Sequence, residues 1–239
     1  MNILKEVFEQ LNIEDSGDKV KKLQEYMSQI LFLNESVNLT AIKTEEEFIR
    51  KHYVDSLLCV RSREFLGAAT VVDVGTGAGF PGVPLAVAFP NKKFILLDSL
   101  NKRVKIVNEV CEKLGINNVR GIHGRAEEVA RQKDMREAFD ICVSRAVANM
   151  STLCEYCMPL VKAGGTFIAY KGPDCSQELE AAGRAIDLLG GKFVRQEGPE
   201  DWRIKDLTFD HRLIYIAKVN STSSKYPRKA GTPSKEPIL

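Results

Sequence analysis

The stretch Thr70-Val-Val-Asp73-Val-Gly75-Thr-Gly77-Ala-Gly79-Phe80-Pro-Gly82 decides the fold of this 239-residue chain. It begins as a short apolar run rich in valine, the pattern of a strand buried on both faces. It ends in a loop with glycines at 75, 77, 79 and 82, where residues without side chains let the backbone come close to a ligand. The apolar stretch 84–89 follows, so the loop sits where a strand passes into a helix. That context is what gives a glycine-rich loop meaning as a nucleotide-type site.

Downstream the rhythm repeats. Residues 94–98 read as a strand, 102–114 as a helix, and a third short strand ends near Ile122. Residues 139–144 and 164–171 supply two more strands, 178–189 a helix closed by Gly190-Gly191, and 193–196 and 212–219 the last two strands. Strands alternating with helices at this spacing predict an α/β domain over 67–220, with a mostly parallel sheet and helices on both faces. Upstream, 1–66 reads as a helical extension. Val20, Leu23, Met27, Ile30 and Leu31 recur at helical spacing after Asp18, and Thr44 with Glu47 forms a capping box. The polar stretch 34–43 between them reads as turn-prone.

Apolar runs such as 71–74 and 94–97 fall far short of the roughly 18 residues of a membrane span. The first residues lack the basic-then-apolar pattern of a secretory signal, so cytoplasmic residence is expected. Net charge is +2, but residues 221–239 carry Lys225, Arg228, Lys229 and Lys235 against Glu236, leaving the remainder at −1. Rich in Pro, Gly, Ser and Thr, this tail reads as a mobile basic arm. Cys154 and Cys157 form a lone CxxC with no second pair and no histidine at ligand spacing. The cysteines are therefore expected to be buried reduced thiols, with neither metal nor disulfide.

Gly77, Gly79 and Gly82 match the G-x-G-x-x-G of dinucleotide enzymes, but Asp73 ends the preceding strand. A carboxylate there opposes a pyrophosphate and suits a ligand bearing an ammonium group. S-adenosylmethionine is such a ligand, and the D-x-G-x-G-x-G form favours it over NAD. Asp98, at the end of the second strand, is placed to accept hydrogen bonds from ribose hydroxyls, or to cap the helix after it. Residues 124–128, Gly-Arg-Ala126-Glu127-Glu, offer acceptors for an adenine amine or a plain helix start. Arg145, after the fourth strand, faces the cleft with a rigid fork of donors, or makes a surface ion pair. An NAD-dependent oxidoreductase and a non-catalytic RNA-binding module are the rival readings.

Taken together, these residues resemble the RsmG family, also called glucose-inhibited division protein B. The matching stretches are Asn38-Leu-Thr40, His52-Tyr-Val-Asp55-Ser56, 73–82, Leu97-Asp98-Ser-Leu-Asn-Lys102-Arg103, Arg125-Ala126-Glu127-Glu128, Ser144-Arg145-Ala146, Tyr170-Lys171-Gly172 and the tail 226–238. The resemblance implies a class I, Rossmann-like methyltransferase fold that moves a methyl from S-adenosylmethionine to N7 of one guanine in 16S rRNA. Another RNA substrate is the alternative. It implies donor contacts at Gly75, Phe80, Ala126, Glu127 and Arg145, with Asp98 at the ribose; no residue is expected as general base, and Arg145 could also orient guanine O6 or a neighbouring phosphate. Asn38, His52, Asp55, Lys102, Arg103, Lys171, Lys225, Arg228 and Lys229 are candidates for the RNA side, the first three equally for packing and capping. The expected partner is 16S rRNA or the small ribosomal subunit, met by a monomer without metal or membrane. As a free arm, the tail would add RNA affinity and leave the donor site untouched.

Overall fold

The computed structural model describes residues 2–14, 17–202 and 211–239. Seven strands, β1 (Thr70–Val74), β2 (Lys93–Asp98), β3 (Val119–His123), β4 (Phe139–Arg145), β5 (Val161–Lys171), β6 (Gly191–Glu197) and β7 (Arg212–Lys218), form one sheet in the order β3-β2-β1-β4-β5-β7-β6. β1 to β5 run parallel, and β7 lies antiparallel between β5 and β6. The order in which strands are added reverses at β1, whose two neighbours are β2 and β4. A crevice beyond the carboxyl ends at such a switch point is where this architecture takes its ligands. No helix among the described residues is long and apolar enough to cross a membrane.

Successive strand residues feed opposite faces, so both faces carry apolar side chains. Val71, Ile141, Ile168 and Tyr215 pack under the N-terminal helices and the helices Gly82–Ala88 and Asn101–Lys113. Val72, Cys142, Phe167 and Ile214 pack under Met150–Cys157 and the short helices that follow β5. All six cysteines are free and buried. Burial pushes the thiols of Cys59 and Cys111 up to about 12.

The extension is helical, with α1 at Asn2–Gln10 and α2 at Asp18–Val37, so α2 runs into the stretch expected to turn. It stops at Asn38, which adopts a left-handed conformation (φ 53°) and stays exposed. The capping box forms as expected, Glu47 N donating to Thr44 Oγ1 at 3.4 Å. The helix expected over 178–189 divides at Ala182-Gly183 into Ser176–Ala181 and Gly183–Leu188, glycine being a poor residue for a helix interior.

One tyrosine docks the extension on the glycine loop and another ties the extension to itself. Tyr26 donates to the Ala78 carbonyl at 2.9 Å, and Tyr53 bridges to the Leu23 carbonyl at 2.5 Å, both wholly buried. Between Phe48 and Asp55 the backbone widens into a π-helical turn at Ile49–Val54, which presents Lys51 and His52 toward the end of β4.

The tail is the main departure from expectation. Residues 221–239 are packed on the domain, not free. Thr222 N donates to Glu137 at 2.7 Å, Arg136 donates to the carbonyls of Thr222 and Tyr226, and Arg228 pairs with the fully buried Glu155 at 2.7 Å. Composition suggested an arm because these contacts are made mainly by backbone carbonyls, which no compositional count registers.

Replacing Tyr26 by Phe removes one buried hydrogen bond and leaves the Ala78 carbonyl unpaired, so stability in urea should fall by about 1–3 kcal/mol. An unchanged unfolding midpoint would show that helix α2 does not buttress the glycine loop.

Candidate active site

The glycine loop leaves β1 and folds back over its end. Gly75, Gly77 and Gly79 all take positive φ (76°, 59° and 90°). A side chain on Gly75 would overlap Val147, and one on Gly79 would overlap the Tyr26 hydroxyl. Glycine is therefore required at both by backbone and by space. The amides of Gly75 and Thr76 donate to the Leu97 carbonyl at 2.8 and 3.1 Å, tying the loop to β2.

Two acids organise this loop. Asp98 accepts the Gly77 amide on Oδ2 at 2.8 Å and the Leu100 amide on Oδ1 at 2.9 Å, so it fixes the turn ahead of the helix Asn101–Lys113 without capping it, and it also faces the cavity. Asp73 has no solvent exposure and accepts from Thr76 Oγ1 at 2.7 Å and from Gly82 N at 2.8 Å, both on Oδ2. Its Oδ1 has no hydrogen-bond partner. Burial pushes the Asp73 carboxyl up to about 7, with the Thr76 and Gly82 hydrogen bonds pulling the other way.

A cavity of about 230 Å³ opens beside the loop. Val74, Gly75 and Val147 line one end, Leu97, Asp98 and Ser99 the middle, and Gly124, Arg125, Ala126 and Glu127 the other. Ala148, Tyr156 and Ser234 complete the wall. The donor set fits a sulfonium nucleoside: an orphaned buried acid behind the loop, a carboxylate on the cavity wall at the end of β2, and a side-chain-free approach at Gly75. Four residues expected at the donor, Gly75, Asp98, Ala126 and Glu127, are thus brought together, while Asp73, Gly77 and Gly79 shape the loop behind them.

Phe80 and Arg145 are placed differently. Phe80 is 4% exposed and stacks on His52, ring centroids 4.2 Å apart and planes 6° from parallel. Neither it nor Arg145 borders the cavity. Arg145 donates to Asp55 at 2.6 Å, to His52 Nδ1 at 2.9 Å and to the Lys51 carbonyl at 2.8 Å. His52 Nε2 meets Thr40 Oγ1 at 2.8 Å, and His211 Nδ1 lies 2.8 Å from Asp55 Oδ1. Burial and the Arg145 charge push His52 down to about 3, so it stays neutral and can accept from the guanidinium. Burial works to raise Asp55, but His211 and Arg145 hold it below the usual range. His52 and Asp55 therefore join the extension to the end of β4, the packing alternative raised from sequence.

The basic residues divide in two. Lys102, Lys225 and Lys229 are exposed and Arg103 is half-buried. Lys171, expected at the RNA, is 13% exposed and held by Glu178 at 2.6 Å and the Ala148 carbonyl at 3.0 Å. Arg228 is likewise occupied by Glu155. Both charges are committed inside the protein. Sequence reasoning missed Tyr156, which the helix Met150–Cys157 brings to the cavity, and Ser234, which reaches it only because the tail folds back.

Fold and site define a class I S-adenosylmethionine-dependent methyltransferase. Solved structures at low identity share the fold: an O-methyltransferase from Bacillus cereus in complex with SAH (16% identical, TM-score 0.56, 88% of this chain and 95% of that one) and M. jannaschii TYW2 in complex with AdoMet (16%, 0.54, 75% and 80%). Residues 19–198 match the GidB family model, rRNA small subunit methyltransferase G. Relatives of that name from Alkaliphilus metalliredigens (48% identical, 99% of this chain, 98% of the relative) and Clostridium perfringens strain 13 (45%, 99% and 98%) align almost end to end. The chain belongs to the rRNA small subunit methyltransferase G (GidB) family.

An acid at about 7 in the folded chain, against roughly 4 when unfolded, holds a proton the unfolded chain has lost. The stability it contributes therefore declines as pH rises from about 4 to about 7. A cationic donor favours the ionised acid, so calorimetric affinity for S-adenosylmethionine should climb from pH ~5.5 to a plateau above ~7, and Asp73→Asn should flatten the climb. An Asp98→Ala variant should bind S-adenosylhomocysteine at least about tenfold more weakly, roughly 1.4 kcal/mol; normal affinity would remove Asp98 from the ribose.

Proposed function

We propose that this enzyme transfers the methyl group of S-adenosylmethionine to N7 of one guanine in 16S rRNA. The reading rests chiefly on the near full-length match to relatives named for small-subunit ribosomal RNA methylation. Such a substrate places the enzyme in the cytoplasm, working as a monomer on the RNA or on the small subunit.

S-adenosylmethionine supplies a methyl group made electrophilic by a positively charged sulfur. Asp98 and the Ala126–Glu127 turn would hold its nucleoside, and Asp73, buried behind the glycine loop, would favour its cationic end by charge rather than by contact. Guanine N7 carries an in-plane lone pair and no proton, so no residue need act as general base. The protein's contribution is then alignment: the loop glycines let the donor sit tight against β1, and the target base is brought in line with it. A base paired or stacked in RNA must be turned out to reach such a recess. Val147, 39% exposed and on the cavity wall, gives an apolar surface at the loop end where that base would enter.

Phosphate contacts from basic side chains carry most of the affinity in complexes of this kind. Lys102, Lys225 and Lys229 are exposed, and Arg125 lines the cavity with half its side chain in solvent (51%). The decisive measurement is mass mapping of modified nucleosides in 16S rRNA from cells with and without the gene. Loss of 7-methylguanosine at one position is expected. An unaltered 16S map rejects the reading, and a loss in another RNA selects the alternative substrate.

A further inference from the structure

We infer that residues 226–236 form a built wall of the donor pocket, with Ser234 and Tyr156 contacting the adenine end of the bound nucleoside. The inference rests on the donor reading above and adds a binding element to it.

Three observations carry it. First, Ser234 borders the same cavity as Asp98, Ala126 and Glu127. The cavity runs along the edge of the sheet from the end of β1, past Asp98 at the end of β2, to the turn after β3. A nucleoside whose ribose sits at Asp98 and whose sulfonium arm lies at Gly75 must extend its base toward that turn. There the tail is docked, Gly231 N donating to Glu127 Oε1 at 2.8 Å.

Second, the docking is specific. The Arg228 amide and guanidinium both bond Glu155, at 2.6 Å from N and 2.7 Å from Nη2, and Nη2 also reaches the Glu236 carbonyl at 2.7 Å. Glu155 has no solvent exposure and sits on the helix Met150–Cys157, next to Tyr156. A carboxylate is not buried there without a partner, so the fold assumes the tail is in place. Thr152, one turn earlier on that helix, donates to the Pro233 carbonyl at 2.9 Å. Glu127 and the helix 150–157 thus hold the segment at both sides of the cavity.

Third, the chemistry suits a purine. Ser234 and Tyr156 add hydroxyl groups to a wall that also carries Ala126, Ala148, Arg125 and Glu127. Ser234 Oγ donates to the Gly231 carbonyl at 3.0 Å and lies against the Tyr156 hydroxyl, so the two form one polar patch able to accept from an exocyclic amine. The Gly231 turn takes φ 84°, a conformation that aims its amide at Glu127.

Because ligand and tail share one cavity, their couplings are reciprocal: if docking strengthens donor binding, the donor must stabilise docking to the same extent. With the full chain, S-adenosylhomocysteine binding by calorimetry should weaken more than tenfold in Ser234→Trp, whose indole fills the adenine end. Gly231→Pro, which lacks the amide and cannot take the positive φ of the turn, should weaken it several-fold. In the wild type, saturating S-adenosylhomocysteine should slow hydrogen exchange across 226–236, a readout that does not depend on any variant folding. Wild-type affinity in Ser234→Trp together with unchanged exchange in the tail overturns the inference. Failure of the wild type itself to bind S-adenosylhomocysteine overturns the donor reading instead, so the two failures are distinct.

Discussion

The hydrogen bonds from Thr76 and Gly82 to a single oxygen of Asp73 hold the site together. They close the loop on itself: the last residue but one of β1 grips the first residue of the following helix, nine positions on. This grip requires glycine at 82, where a Cβ would stand 2.8 Å from the same oxygen. Burying a carboxylate is costly, and two neutral donors offset only part of the cost. The remainder is expressed as a readily protonated acid with one unpartnered oxygen. A cationic ligand is the natural complement of such a group.

The N-terminal extension supports this loop from the other side of the sheet. Tyr26 reaches the Ala78 carbonyl, Phe48 and His52 enclose the Phe80 ring, and Arg145 binds the π-helical turn to the end of β4. Arg145 also lies over the Phe80 ring, 5.6 Å from its centre. Removing that guanidinium would strand Asp55, which is 2% exposed, as a buried charge left with only His211; breaking a buried pair costs about 3–5 kcal/mol. Phe80 and Arg145 thus join the extension to the catalytic domain through one cluster.

Much of this was legible in the sequence. The valine run, the four glycines and the acids at 73 and 98 identify strand, loop and ligand class because each is dictated by backbone geometry or by charge. The capping box at Thr44 was equally readable, being a local bond between residues three apart. What escaped were contacts between distant parts of the chain. Nothing near Arg228 announces that a buried glutamate at 155 awaits it, and nothing near Lys171 points to Glu178 in the next helix as its partner. Charge was read as exposure, and in both places the charge is spent internally. The tail's prolines and Gly231 read as signs of disorder, yet in the folded chain they shape turns with carbonyls and amides engaged by Arg136, Glu127 and Thr152.

The six cysteines have a practical consequence. Every one is a reduced thiol beneath the surface, and those at 59, 111 and 154 are held by burial far from ionisation. Thiolate is the reactive form, so alkylating dyes would meet a chemically silent molecule. One cysteine introduced at an exposed position, such as 229 or 235, would become the sole attachment point for a fluorophore without first stripping the native six.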